Sequence, residues 1–216
     1  MGDVKSRRTY SSRLREDQAR HTRVRILEAA QRRFTDNGYA ATTVESIARE
    51  AGVAVDTVYA TFGTKRDLLA QLAYFRAAGD DAPVAVIDRA GPQAARRETD
   101  QRRQIAMFAR GVVTIIERVR PVDDILRSAG AIDAAVATLR AHIQEERFSS
   151  IRAFAAWLTS NGPLRGGISS GDAATIIWTL TSPEVHQLMR DARGWSRPRY
   201  VRWLTESLTE ILLPDV

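Results

Sequence analysis

No cysteine occurs in the 216 residues, so disulfide frameworks, thiolate zinc sites, iron–sulfur clusters and cysteine nucleophiles are excluded together. Long apolar runs are missing as well. Each is interrupted by Arg, Asp or Glu within a few residues, well short of the roughly 20 apolar residues of a spanning helix, and no membrane partner is expected. The first fifteen residues are basic and polar without an apolar stretch, so no secretory signal is expected. Sustained alternation of β-branched and polar residues is absent, which leaves an all-α fold. Catalytic patterns are lacking too: His21, His142 and His186 stand far apart, and no HExxH, GxSxG, P-loop or GxGxxG occurs. The expectation is a soluble, cytoplasmic protein that is not an enzyme and holds neither metal nor cofactor.

What is present is ordinary globular composition, 44% hydrophobic and 27% charged, with an uneven distribution of charge. The formal net charge is +6, and residues 1 to 35 hold ten basic and four acidic side chains, so the remaining chain is neutral. A basic N-terminal segment on a neutral body suits a polyanion, nucleic acid being the commonest such partner; the plain alternative is a solvated tail.

Apolar spacing predicts a first helix over Arg15 to Asn37, through Val24, Leu27, Ala30 and Phe34, closed by Asn37-Gly38. The pair Thr42-Thr43 is an N-cap signal for a short second helix ending near Gly52, and Val53 to Phe62 predicts a third. Gly63-Thr64 then opens a helix from Lys65 to Ala77. Three short helices with a glycine turn between the second and third are the grammar of helix-turn-helix. Asp80 to Arg97 reads as a loop. Beyond it, helices are expected over Glu98 to Arg120, ended by Pro121, over Ile132 to Ser160, over Ser170 to Asp191 with a kink at Pro183, and over Arg197 to Leu213. The implied organisation is a basic flexible arm (1–15), a helix-turn-helix domain (16–64) and a helical domain for effector binding and dimerisation (65–216).

Val24-Arg25-Ile26-Leu27-Glu28-Ala29-Ala30, Phe34, Gly38-Tyr39, Thr42 to Ala48, Ala51-Gly52-Val53, Thr57-Val58-Tyr59, Phe62 to Lys65 and Leu68-Leu69 together closely resemble the DNA-binding domain of TetR-type transcriptional repressors. The resemblance implies a homodimeric regulator on a double-stranded palindromic operator, released by a small-molecule effector. It implies phosphate contacts from Tyr59 and Lys65, the latter being a cation at the unfavourable end of a helix dipole and thus suited to an external anion, while Thr43 at a helix start can hold a phosphate or is equally a plain N-cap. With Val58 and Phe62 facing inward, Ala54, Val55, Asp56 and Thr57 are left for bases. Thr42 and Thr61 complete the expected DNA face, and Arg13 and Arg15 are placed to enter an adjacent minor groove from an extended arm. Asp56 and Thr61 depart from common family residues, and Asp56 is either a reader of cytosine N4 or a surface residue.

In the C-terminal part, Met107, Phe108, Val112, His142, Phe154, Trp157 and Trp178 suggest a mostly apolar ligand site, although helical spacing makes most of them equally good core. Ile176, Ile177, Leu180 and Val185, with Val201, Leu204, Leu208, Ile211 and Leu212, predict dimerisation through the last two helices. The alternative is a ligand-independent or architectural DNA-binding protein whose C-terminal domain only dimerises.

Overall fold

The computed structural model describes residues 3–215, with side chains from Arg15 onward, and no strand occurs among the described residues. The helices are α1 (Asp3–Ala41), α2 (Val44–Ala51), α3 (Val55–Phe62), α4 (Lys65–Ala78), α5 (Ala90–Arg97), α6 (Gln101–Gly130), α7 (Ala134–Ser160), α8 (Ser170–Leu180), α9 (Pro183–Gln187) and α10 (Arg197–Leu212). A π turn, Leu188–Ala192, follows α9 directly.

Local chemistry sets most boundaries. Gly38 breaks the helical path of α1 at φ +75°, a backbone conformation that residues with a Cβ rarely adopt. The Thr43 hydroxyl accepts the Ser46 N–H to start α2, and Gly52, left-handed at φ +65°, ends it. Thr64 and Asp67 form a reciprocal capping box at α4. Asp133, Ser169, Ser182 and Ser196 cap α7 to α10 by accepting a first-turn backbone N–H on the side chain.

Four expectations are corrected. The arm is not extended: the backbone is helical from Asp3 and continuous with α1, in keeping with the helix-favouring Arg, Glu, Gln and Ala content of residues 13–20. The stretch 80–97 is not all loop, because Arg89 holds Asp80 through two hydrogen bonds of 2.7 and 2.8 Å and α5 follows, with Ala95 buried. Pro121 does not end a helix; it lies inside α6. Proline there removes one backbone donor, yet the helix is held on both sides, by Ile105, Ala109 and Val113 in one core and by Val122, Ile125, Leu126 and Ala129 in the other. Pro183, finally, begins α9 instead of kinking a longer helix, since the Ser182 cap lies just ahead of it.

Two apolar cores result. The first gathers Ile26, Leu27, Phe34, Ile47, Val58, Phe62, Leu68, Leu69 and Leu72 with the C-terminal half of α6 and with Val136 of α7. The second joins the start of α6 to Ile151, Phe154, Leu158, Ala173, Ile177, Tyr200, Leu204, Leu208 and Leu212. Helix α6 thus belongs to both, and the helix-turn-helix closes its core only with α4, α6 and α7.

Candidate nucleic-acid interface

Helices α2 and α3 meet through a tight turn in which the Val53 N–H donates to the Ala48 carbonyl at 3.0 Å. Arg25 of α1 donates to the Ala51 carbonyl and so pins that turn from below. Val58 and Phe62 of α3 are buried, which commits that face of α3 to the core. The opposite side of α3 carries Asp56, Tyr59, Ala60 and Thr61, all exposed, with exposed Ala54 just before its first turn. Tyr59 exposes 48% of its surface, unusual for an aromatic in a small domain and consistent with a group kept for a partner. Thr61 donates its hydroxyl to the Thr57 carbonyl at 2.6 Å.

Val55 and Thr57 are half-buried, and Val55 packs against the first core, so of the four expected base readers Ala54 and Asp56 are the exposed ones. Thr43 is exposed beside the free N–H groups at the start of α2. Thr42 is not a surface residue. It is buried, and its hydroxyl donates to the carbonyls of Arg33 and Gly38 at 2.9 and 2.8 Å, so it locks the end of α1.

Lys65 has a different explanation from the one its helix position suggests. Its ammonium donates to the carbonyls of Tyr39 and Thr42, both at 2.9 Å, and lies 4.3 Å from the centre of the Tyr39 ring. Burial pulls its pKa below the ordinary lysine value. Internal carbonyl oxygens therefore account for a cation at this helix start, and one N–H remains for an outside oxygen. Arg66, exposed next to it, was missed in the sequence reading; a second basic residue at a helix start is its only signal.

The basic excess is also partly engaged within the fold. Arg23 pairs with Asp81 at 2.8 Å and covers the Phe62 ring, while Arg32 and Arg33 both pair with Glu50. Arg15 is exposed on α1, and the Arg13 side chain lies outside the described ones.

Part of the aromatic set of the C-terminal region is packed together. Phe108 and Phe154 stack with ring centres 4.0 Å apart, and Val112, Trp157 and Trp178 pack against the same core. Met107 is half-buried. His142 is exposed, with Nε2 3.5 Å from Glu146. A groove of about 710 Å³ lies elsewhere, between α6 and α10, lined by Ala106, Arg110, Thr114, Val201 and Arg202 among others. The dimerisation surface is smaller than the composition suggests as well. Ile177, Leu204, Leu208 and Leu212 are fully buried within their own chain, which leaves Ile176, Leu180, Val185 and Val201, half-buried, and exposed Ile211.

Among the described residues no three His, Asp or Glu side chains are placed to hold a metal ion, and no helix is long and apolar enough to cross a membrane.

Residues 26–72 match the family model described as bacterial regulatory proteins, tetR family. The whole chain has the fold of solved TetR-family regulators. NalD of Pseudomonas aeruginosa, the secondary repressor of the MexAB-OprM multidrug efflux pump, superposes with a TM-score of 0.68 at 20% identity, covering 92% of this chain and 100% of its own. The fatty acid degradation regulator FadR of Bacillus halodurans does so with a TM-score of 0.67 at 16% identity, covering 86% of this chain and 93% of its own. Among curated proteins no sequence match was found.

Proposed function

We propose that this chain is a cytoplasmic, homodimeric DNA-binding repressor of the tetR family that leaves a palindromic operator when a small ligand occupies its C-terminal domain. The observation that carries the reading is the side of α3 bearing Asp56, Tyr59, Ala60 and Thr61, exposed above a rigid core in a segment that matches the tetR-family model. In this reading the first turn of α3 enters the major groove. Thr43, Tyr59 and the third N–H of Lys65 meet phosphates, and Arg13 and Arg15 follow the backbone into A·T-rich flanks. Two copies joined through α8 and α10 read two half-sites. The exposed side of α3 and the match of residues 26–72 to the tetR-family model support the contacts, and the half-buried apolar side chains of α8 and α10 support the dimer.

The stacked Phe108–Phe154 pair favours one second reading, a regulator that responds to no ligand and uses its C-terminal domain only to dimerise. Selection of bound genomic fragments by the full-length protein tests both. A palindromic consensus, bound with an affinity that falls steeply with salt, is expected. Sequence-independent binding, or a stable monomer by sedimentation at micromolar concentration, overturns the proposal.

A further inference from the structure

Buried polar atoms in folded proteins nearly always have hydrogen-bond partners, because water has been given up on burial. Among the described residues the departures are Arg33 Nε, which still faces Glu50 in an ion pair, Arg190 Nε, and a group of three side chains in the C-terminal domain. The indole N–H of Trp178, both ring nitrogens of His186 and the hydroxyl of Tyr200 are buried and without partner. His186 is 3% exposed and Tyr200 fully buried, their rings meeting edge to face with centres 5.3 Å apart. Arg147 joins Trp178 to the group: its guanidinium lies 5.4 Å from the indole centre and donates at 2.8 Å to the Trp178 carbonyl and at 2.8 Å to the Thr181 hydroxyl. Helices α7, α8, α9 and α10 each contribute.

The chemistry of the group is one-sided. Arg147 has only neutral acceptors, namely the Trp178 carbonyl, the Thr181 hydroxyl and the Gln144 amide oxygen. The neighbouring carboxylates are engaged by other arginines. Asp123 and Glu184 are held by Arg140, Glu117 by Arg190 and Arg197, and Asp191 by Arg120. Donors are in surplus, and an acceptor-rich, negatively charged group is what they lack. The walls are flat and aromatic: Trp203 stacks on Tyr200 with centres 5.5 Å apart, and Phe148 meets Trp178 edge-on at 6.2 Å. His186 lies on the five-residue α9, which a π turn follows directly, and π turns are frequent at functional sites.

We propose that Trp178, His186 and Tyr200, with Arg147, form a binding site for a small aromatic carboxylate. The inference rests on the regulator reading above and names the chemical class of its effector. The carboxylate accepts from the phenol and the indole N–H and faces the guanidinium; the ring packs among the aromatic walls. His186 supplies a donor or an acceptor to a ring substituent according to its tautomer.

Calorimetric titration of the full-length protein with benzoate and phenylacetate tests this, with benzamide and toluene as controls that lack the charge or every acceptor. Saturable binding of a carboxylate is expected, at least about tenfold tighter than either control. Tyr200→Phe keeps the ring packing and is expected to weaken carboxylate binding about tenfold while leaving the ligand-free melting temperature unchanged or higher, whereas Trp178→Phe is expected to weaken binding about tenfold with a lower melting temperature, because the smaller ring leaves a void. Phe108→Leu is expected to leave binding unchanged. The site is overturned by control compounds that bind as tightly as the acids, by both ring variants binding like the parent protein, or by no saturable heat up to millimolar acid. Operator binding without ligand, measured on the same samples, separates the two claims. Operator binding without carboxylate binding removes only the site, whereas carboxylate binding without operator binding removes only the regulator.

Discussion

The two cores along α6 differ in how completely their polar atoms are matched. Around the helix-turn-helix, most side chains that reach inward are matched, Thr42 to two carbonyls, Lys65 to two more and Arg25 to the α2–α3 turn, while Arg33 Nε makes an ion pair with Glu50 but no hydrogen bond. In the C-terminal domain Trp178, His186 and Tyr200 are buried with nothing to bond. A domain whose outer face is read by a partner gains from a rigid, largely matched interior. One whose partner comes inside keeps its polar groups inside too, and gives up some stability to do so.

The largest effect that tests this contrast is in packing. Phe34→Ala and Phe154→Ala both empty a fully enclosed aromatic site, and each is expected to lower unfolding free energy by about 3–5 kcal/mol, measured by urea denaturation. A loss below about 1.5 kcal/mol for Phe154→Ala alone means that Phe108 collapses into the space. It would make the Phe108–Phe154 region, and not the His186 cluster, the adaptable part of the domain.

Next is Lys65. Lys65→Met leaves the Tyr39 and Thr42 carbonyls without their charged donor and is expected to cost about 1–2 kcal/mol. Operator affinity should fall, and the salt slope by about one unit, if the remaining N–H meets a phosphate. An unchanged slope with reduced stability assigns Lys65 to the fold alone.

Lys65 also shows where a sequence is informative. A cation at a helix start is a local anomaly that reads directly, but its cause was a pair of carbonyls more than twenty positions away, which no local pattern reports. The helix-turn-helix was legible because caps and turns are local: Thr43, Gly52 and the Thr64–Asp67 box each act within a few residues. Pro121 misled because packing on two cores outweighed one lost backbone bond. Helical spacing named Trp178 as a ligand candidate, yet it could not say that Phe154 closes on Phe108 or that His186 and Tyr200 share a buried edge. Those facts depend on how α7 to α10 cross.

A smaller effect is carried by pH. Burial, then the nearby Arg120 and Arg190, pull the His186 pKa below its ordinary value, against Glu117 and Asp191, which raise it. The unfolded chain takes up a proton below about pH 6.5 that the folded protein refuses. Stability is therefore expected to fall as pH drops from about 6.5 to 5, before most carboxylates titrate. His186→Leu should flatten that part of the profile. A profile unchanged by the substitution shows that the histidine is already satisfied, and it weakens the contrast between the two cores.

The smallest expected effect on stability carries the most information about recognition. Asp56 is exposed in the first turn of α3, where a carboxylate complements the helix dipole by only a few tenths of a kcal/mol. Asp56→Ala should thus change unfolding free energy by less than about 0.5 kcal/mol. A carboxylate facing a major groove repels phosphate but accepts a hydrogen bond from cytosine N4, so its loss acts on preference at one base pair. Selection with the Asp56→Ala protein should return the same half-site spacing with one relaxed position, and non-specific affinity should rise slightly because a repulsive charge is gone. An unaltered consensus with tighter binding to all sequences makes Asp56 a simple electrostatic brake. An unaltered consensus with unaltered affinity places it off the DNA and turns the first turn of α3 away from the groove.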